Sequence, residues 1–298
     1  MALKAIGTIE IPNSKDSSFD HGAFDPKSRR IFVAHTGRNG VEVIDHDTGR
    51  HLATLPGFPE AAGVVADDGI VLVTNRGAAS LAWVDALSLE THATFKTGLK
   101  PNGVAIVSPR GLAIAASIGD ESHGPQLHVL ALDGRQQYSI NLPGAPRWCV
   151  TDAAFTRVFL AIREPSMVLV ARLPDLREVA HWMLSQGGAH GLDIDHARGR
   201  LYVACDDAVL VEVNSGSGET TNEWPIAGVP DVTFFNPTTG LVHVAIGKPG
   251  VVQSIDPSTG ASTQIVTGPG AHTTALVPPD RLYVFSPSHG GALVMADG

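Results

Sequence analysis

A chain of 298 residues that is 43% hydrophobic can bury a sizeable core, and its 32 glycines and 20 prolines, spread along the whole length, suit many short strands joined by tight turns. Acids outnumber bases 30 to 21, for a formal charge of −9, and no basic stripe of the kind that tracks a phosphate backbone occurs, so no nucleic-acid partner is expected. No apolar run reaches the roughly 18 residues that a membrane-crossing helix needs, so no membrane partner is expected either.

The first element is a lone strand, Ala5-Ile-Gly-Thr-Ile-Glu-Ile. The residues around it lack the apolar centre of a secretory leader, which makes a cytoplasmic location the expectation; a periplasmic or secreted protein with its leader trimmed would read the same. Cys149 and Cys205 are too few for a disulfide framework and are expected to be free thiols.

From there one pattern recurs seven times. Each unit opens on a short apolar strand: His21-Gly-Ala-Phe-Asp, Ala62-Gly-Val-Val-Ala, Asn102-Gly-Val-Ala-Ile, Arg147-Trp-Cys-Val-Thr, His190-Gly-Leu-Asp-Ile, Asp231-Val-Thr-Phe-Phe and His272-Thr-Thr-Ala-Leu. These starts lie 40 to 45 residues apart, the period of a propeller blade. A second strand follows in every unit, from Ile31-Phe-Val-Ala-His to Leu282-Tyr-Val-Phe-Ser. A third comes after a polar turn, as in Val41-Glu-Val-Ile-Asp. A fourth follows hairpin-type turns such as Thr48-Gly49 and Thr259-Gly260. The inner strands carry apolar residues on both faces, as expected of sheets sandwiched between neighbours.

The last unit stops after its third strand, Ala292-Leu-Val-Met-Ala. The N-terminal strand can supply the missing fourth, closing a ring and removing two exposed sheet edges. The predicted fold is therefore all-β: one domain over residues 1–298, a seven-bladed β-propeller with four antiparallel strands per blade, closed by the N-terminal strand. A monomer is expected.

The segment from Ile31 to Arg50 resembles the repeat of the YVTN-type (YncE-like) β-propellers, as do Pro257-Ser-Thr-Gly and Lys100-Pro-Asn-Gly-Val-Ala. The resemblance runs unit by unit over the whole chain and implies the same fold. It leaves activity open, because propellers of this kind include lactonases, lyases, metal-dependent hydrolases and plain binding scaffolds. The chain departs from the repeat in placing histidine at the start of three inner strands.

In such a ring the seven starting residues surround the mouth of the central channel: His21, Ala62, Asn102, Arg147, His190, Asp231 and His272. Closure brings His190, Asp231, His272 and His21 onto four consecutive blades. Three imidazoles and one carboxylate suit a divalent transition metal, with zinc, iron, copper, nickel and manganese all open. Three histidines in seven places exceed the roughly 0.3 that random placement gives, which favours function; a hydrated polar channel is the alternative. His35 and Cys205, at second-strand ends, and His289, in the following loop, are further candidates as ligands or supports, against capped strand ends and a buried thiol. Asp193 stands where the other units carry apolar residues. It is expected to be hydrogen-bonded or to have a raised pKa, either orienting a ring histidine or tying two strands.

Arg147, Asn102 and Arg163, with Arg76 nearby, could orient an anionic small molecule. The function expected is a metal-dependent enzyme acting on a small molecule at this mouth, a hydrolase, lactonase or lyase, with Asp231, Arg147 or Asp193 as catalytic groups. The alternatives are a non-catalytic metal- or ligand-binding scaffold and a redox enzyme using iron or copper. The remaining histidines, among them His46, His51, His128, His196 and His243, are expected on solvated outer strands and turns.

Overall fold

The computed structural model describes residues 3–135, 137–177 and 179–298. Among them the strands form seven four-stranded sheets, all antiparallel, each ordered as the chain runs except the one containing both ends. There Lys4–Glu10 pairs with Gly291–Ala296, with Thr8 opposite Leu293 and Glu10 opposite Gly291. This is the closure predicted from the truncated last repeat. The seam it creates is packed like the others: Ile31 and Val33 of the first blade meet Ala275, Tyr283 and Phe285 of the last.

Burial follows strand position within each blade. The second strands Arg30–His35 and Arg157–Ile162 are buried at every residue but the first, because a neighbouring blade covers each face. The outer strand Arg50–Pro56 alternates between half-buried and exposed, as a strand covered on one side should. The sandwiching also overrides the reading of several histidines as solvated. His243 is buried between Ser254 Oγ (2.8 Å) and the Asp297 carboxylate (2.8 Å). His128 is buried in the third blade, where its Nε2 accepts the Gly98 N–H. His51 donates to Glu42 at 2.7 Å, and His46 reaches the Tyr283 hydroxyl at 2.9 Å. Polar residues in the middle of a blade face apolar walls, so they survive there only with partners.

The start of the inner strand shapes the channel mouth. In the blades opened by Ala61–Asp67, Pro101–Val107, Pro146–Thr151 and Ala189–Asp195, the ladder slips immediately after its first pair. Asn102 and His190 are the extra residues of these bulges: Pro101 pairs with Ser117 and Gly103 with Ala116, while Ala189 pairs with Cys205 and Gly191 with Ala204. A bulged residue leaves the ladder and its side chain is re-aimed. Glycine follows because the next blade comes close: a side chain at Gly103 or Gly191 would strike the carbonyl oxygen of Arg147 or Asp231.

Candidate functional site

The residues at the channel mouth form an almost continuous circuit of opposite charges. Arg163 Nε donates to Asp206 Oδ2 at 2.6 Å, and His190 Nδ1 lies 2.9 Å from the other oxygen of the same carboxylate. His190 Nε2 is 3.7 Å from Asp231 Oδ1, and His272 Nδ1 is 2.6 Å from Asp231 Oδ2. The last is an ion pair by distance, although its direction misses hydrogen-bond geometry. On the next blade His21 Nδ1 meets Asp20 Oδ1 at 2.5 Å, and Arg76 bonds Asp20 Oδ2 at 2.8 Å. Arg76 also donates to the Asn102 side-chain oxygen, and Asn102 Nδ2 donates to the Arg147 carbonyl at 3.3 Å.

The protonation tendencies follow from these pairings. Burial raises the Asp231 carboxyl, but contact with His272 and its charge outweigh burial and hold the group below its ordinary value. Burial lowers His272, yet Asp231, with help from Asp20, carries it above the usual imidazole range. The pairing thus favours an imidazolium facing a carboxylate. Asp20 is likewise raised by burial and brought down further by His21, Arg76 and the charge of His272.

Arg147 is the exception in this circuit. It is half-buried, and among the described residues its guanidinium makes no ion pair, while its Nε is buried without a partner. Burial and the charges of Arg163 and Arg76 pull its pKa down, opposed by Asp206 and Asp231. A desolvated guanidinium with no counter-ion is costly unless something else supplies one.

The residue after Arg147 closes the channel beneath. Where Asn102 and His190 are followed by glycine, Arg147 is followed by Trp148, whose indole stacks on the His21 imidazole with centroids 3.8 Å apart and planes within 2°. The strands of these two residues lie on opposite sides of the ring, so the stacked pair forms a floor between the polar mouth and the apolar channel below.

The circle of starting residues is assembled as the repeat predicted, but its imidazoles do not turn toward one point. His21 is held by Asp20 and Trp148, His190 by Asp206, and His272 by Asp231. Among the described residues no group of three or more His, Cys, Asp or Glu side chains is arranged to hold a metal ion. Each ring histidine instead has its Nδ1 on a carboxylate, and Asp231, itself an expected ligand, is taken up by His272 and lies close to His190.

Other candidates lie elsewhere. His35 is fully buried inside its blade, with Nδ1 2.6 Å from Glu42 Oε1, Nε2 2.8 Å from Ser17 Oγ, and its ring stacked on Phe19. The Cys205 thiol is packed in the core, 3.8 Å from the Val203 carbonyl, and burial pushes it up to about 12. His289 is on the surface, bonded to Ser286 Oγ at 2.8 Å. Asp193 bonds no ring histidine. Its two oxygens accept the Ile194 N–H at 2.8 Å and the Phe235 N–H at 2.7 Å, tying its blade to the next. Burial pushes its carboxyl up to about 7 despite those two bonds. It therefore has the backbone ties and the raised pKa that its position suggested.

Asp20, Asp206 and Trp148 were not foreseen. One signal was available: the position after each second-strand end carries Arg76, Arg163 and Asp206 in three of the units, forming a second charged row beside the first.

Neither protein-family models nor curated proteins give a match to this chain. Solved structures do. A hydrazine synthase from Kuenenia stuttgartiensis superposes with a TM-score of 0.82 at 12% identity, over 94% of this chain and 96% of that one. A streptogramin B lyase structure gives 0.82 at 11% identity, over 99% of this chain and 96% of that one. At such identities the likeness is one of fold.

Proposed function

We propose that the chain is an enzyme that binds a small anionic molecule at the channel mouth and moves protons on it, in a lyase or lactone-opening reaction. The observation that carries this is Arg147, a half-buried guanidinium without an ion pair in a circuit where the other charges are matched. A carboxylate or phosphate of the ligand would complete it with charge-assisted, bidentate hydrogen bonds. His272, held as imidazolium by Asp231, is the proton donor to a leaving oxygen. With Nδ1–H given to Asp206, His190 presents Nε2 as the base, the orientation that a carboxylate commonly imposes on a catalytic imidazole. A lyase among the fold neighbours is compatible with this choice and, at 11% identity, adds no more than that.

A second reading, a binding propeller without turnover, draws support from the mutual satisfaction of Asp20, His21, Arg76 and Asn102. Turnover separates the two. Purified protein is assayed against carboxylated lactones and hydroxy acids, alongside His272→Gln and His190→Gln variants and elemental analysis. Turnover lost in both variants of a metal-free preparation supports the proton-transfer enzyme. Binding without turnover supports the scaffold. A stoichiometric divalent metal that is lost in those variants would replace this reading with Lewis-acid chemistry at the same residues.

A further inference from the structure

Below the floor made by His21 and Trp148 lies an open cavity of about 410 Å³, walled by the inner strands of the blades and lined also by Thr151, His196 and Pro278. That volume is within the range of small-molecule sites. Its wall is mostly apolar, with Phe24, Val65, Ile106, Val150, Phe234 and Leu276 contributed by six different blades. One carboxyl interrupts it, that of Asp193. Each of its oxygens already accepts one backbone N–H, and each retains a lone pair.

An apolar wall with a single carboxyl group matches a ligand with an apolar body and one donor. A cation satisfies that group better than a neutral donor, because a charge-assisted hydrogen bond in low dielectric is the stronger. We propose that this cavity is a second binding site, separate from the mouth, for a small lipophilic amine held as its ammonium with Asp193 as counter-ion. An ammonium there would stabilise the charged form of Asp193, which burial disfavours. The other titratable groups on the wall are His196 at the outer rim and Cys149, whose thiol burial pushes up to about 12. Neither can serve as an anion near neutral pH as Asp193 does.

The test uses three probes of one shape: phenethylamine, phenethyl alcohol and phenylacetate. Each is titrated at about pH 8 by calorimetry, and by tryptophan fluorescence with Trp83, Trp182 and Trp224 replaced by Phe so that the signal is that of Trp148, which lines the cavity. The amine binds tightest, by about tenfold over the alcohol, and phenylacetate, compared in an Arg147→Met background so that the mouth does not take it, binds weakest. In Asp193→Asn the advantage of the amine over the alcohol disappears. Ala105→Phe, which fills the cavity from another blade, weakens every probe, and this variant with the order of the probes decides the matter if Asp193→Asn does not fold. Equal binding of the three, no binding of any, or an amine preference that survives Asp193→Asn overturns the proposal.

Discussion

The imidazole of His21 lies flat on the indole of Trp148, 3.8 Å between centroids, although the two residues belong to blades on opposite sides of the channel. The contact crosses the axis of the ring and divides the channel into a charged mouth and an apolar chamber. Trp148 is only 9% exposed and belongs to the apolar core that runs through the second to fifth blades. Trp148→Ala is expected to cost about 3–5 kcal/mol, the range for deleting a large buried aromatic. Urea unfolding measures it, and a cost near zero would mean that the indole is not the floor described.

Glu42 gathers four groups in the first blade: His35, His51 and Thr54 bond its carboxylate, and Ser17 extends the chain through His35. Burial raises this carboxyl, but His35, Thr54 and His51 together bring it below its ordinary value. A depressed carboxyl contributes stability above its unfolded value of about 4.5 that is lost as pH falls through the lower folded value. Glu42→Ala is expected to cost about 3–5 kcal/mol at neutral pH, the scale of breaking a buried charged pair. The variant should also lose less stability than the parent between neutral pH and about pH 3. Denaturant midpoints at both pH values check this.

Asp193 has the opposite sign. Its carboxyl is raised from 3.8 to about 7, so the folded state holds a proton that the unfolded chain releases. The stability this gives is fully present below about pH 4 and is lost as pH rises through about 7. Asp193→Asn removes that slope. It also places an amide nitrogen against the Ile194 or Phe235 N–H, costing about 1–3 kcal/mol at low pH, where the native group is neutral. The two stability curves therefore converge as pH rises from about 4 to 8. Parallel curves across that window would contradict the assignment.

His272 is raised by Asp231, so its contribution to stability is fully present below the unfolded value of about 6.5 and is lost as pH rises through the folded value. His272→Gln is expected to flatten the stability profile above neutrality. In an enzyme that uses the imidazolium as its acid, the parent's rate falls on the alkaline side as this group loses its proton, while the variant turns over too slowly to show a profile. A histidine proton resonance titrating above the ordinary range in the parent, and absent from the variant, identifies the group.

How much of this could be read from the sequence depended on whether the repeat carried it. The blade number and the closure by Lys4–Glu10 followed from the period and from the truncated last unit, since an unpaired edge at either end is costly. The circle of His21, Asn102, Arg147, His190, Asp231 and His272 followed too, because equivalent positions in equivalent blades must meet at the axis. The pairings within the circle did not. Asp20 and Asp206 each sit one residue outside the aligned columns, and they decide which way the imidazoles turn. Nor did pattern reveal that His243 and His35 are buried, since a polar residue within a strand or at its end looks the same whether it faces water or a carboxylate from elsewhere in the chain. Trp148 stands where four other units carry glycine, yet its reach across the channel depends on three dimensions and was not foreseen.

The proposed chemistry turns on whether the Arg147 guanidinium takes an anion. Calorimetric titration of succinate and inorganic phosphate into the parent protein and into Arg147→Met tests it most directly. The parent is expected to bind at least one of these anions, and removing the guanidinium to weaken that binding by about tenfold or more. Equal affinity in the two proteins, or no anion bound by the parent, would contradict it.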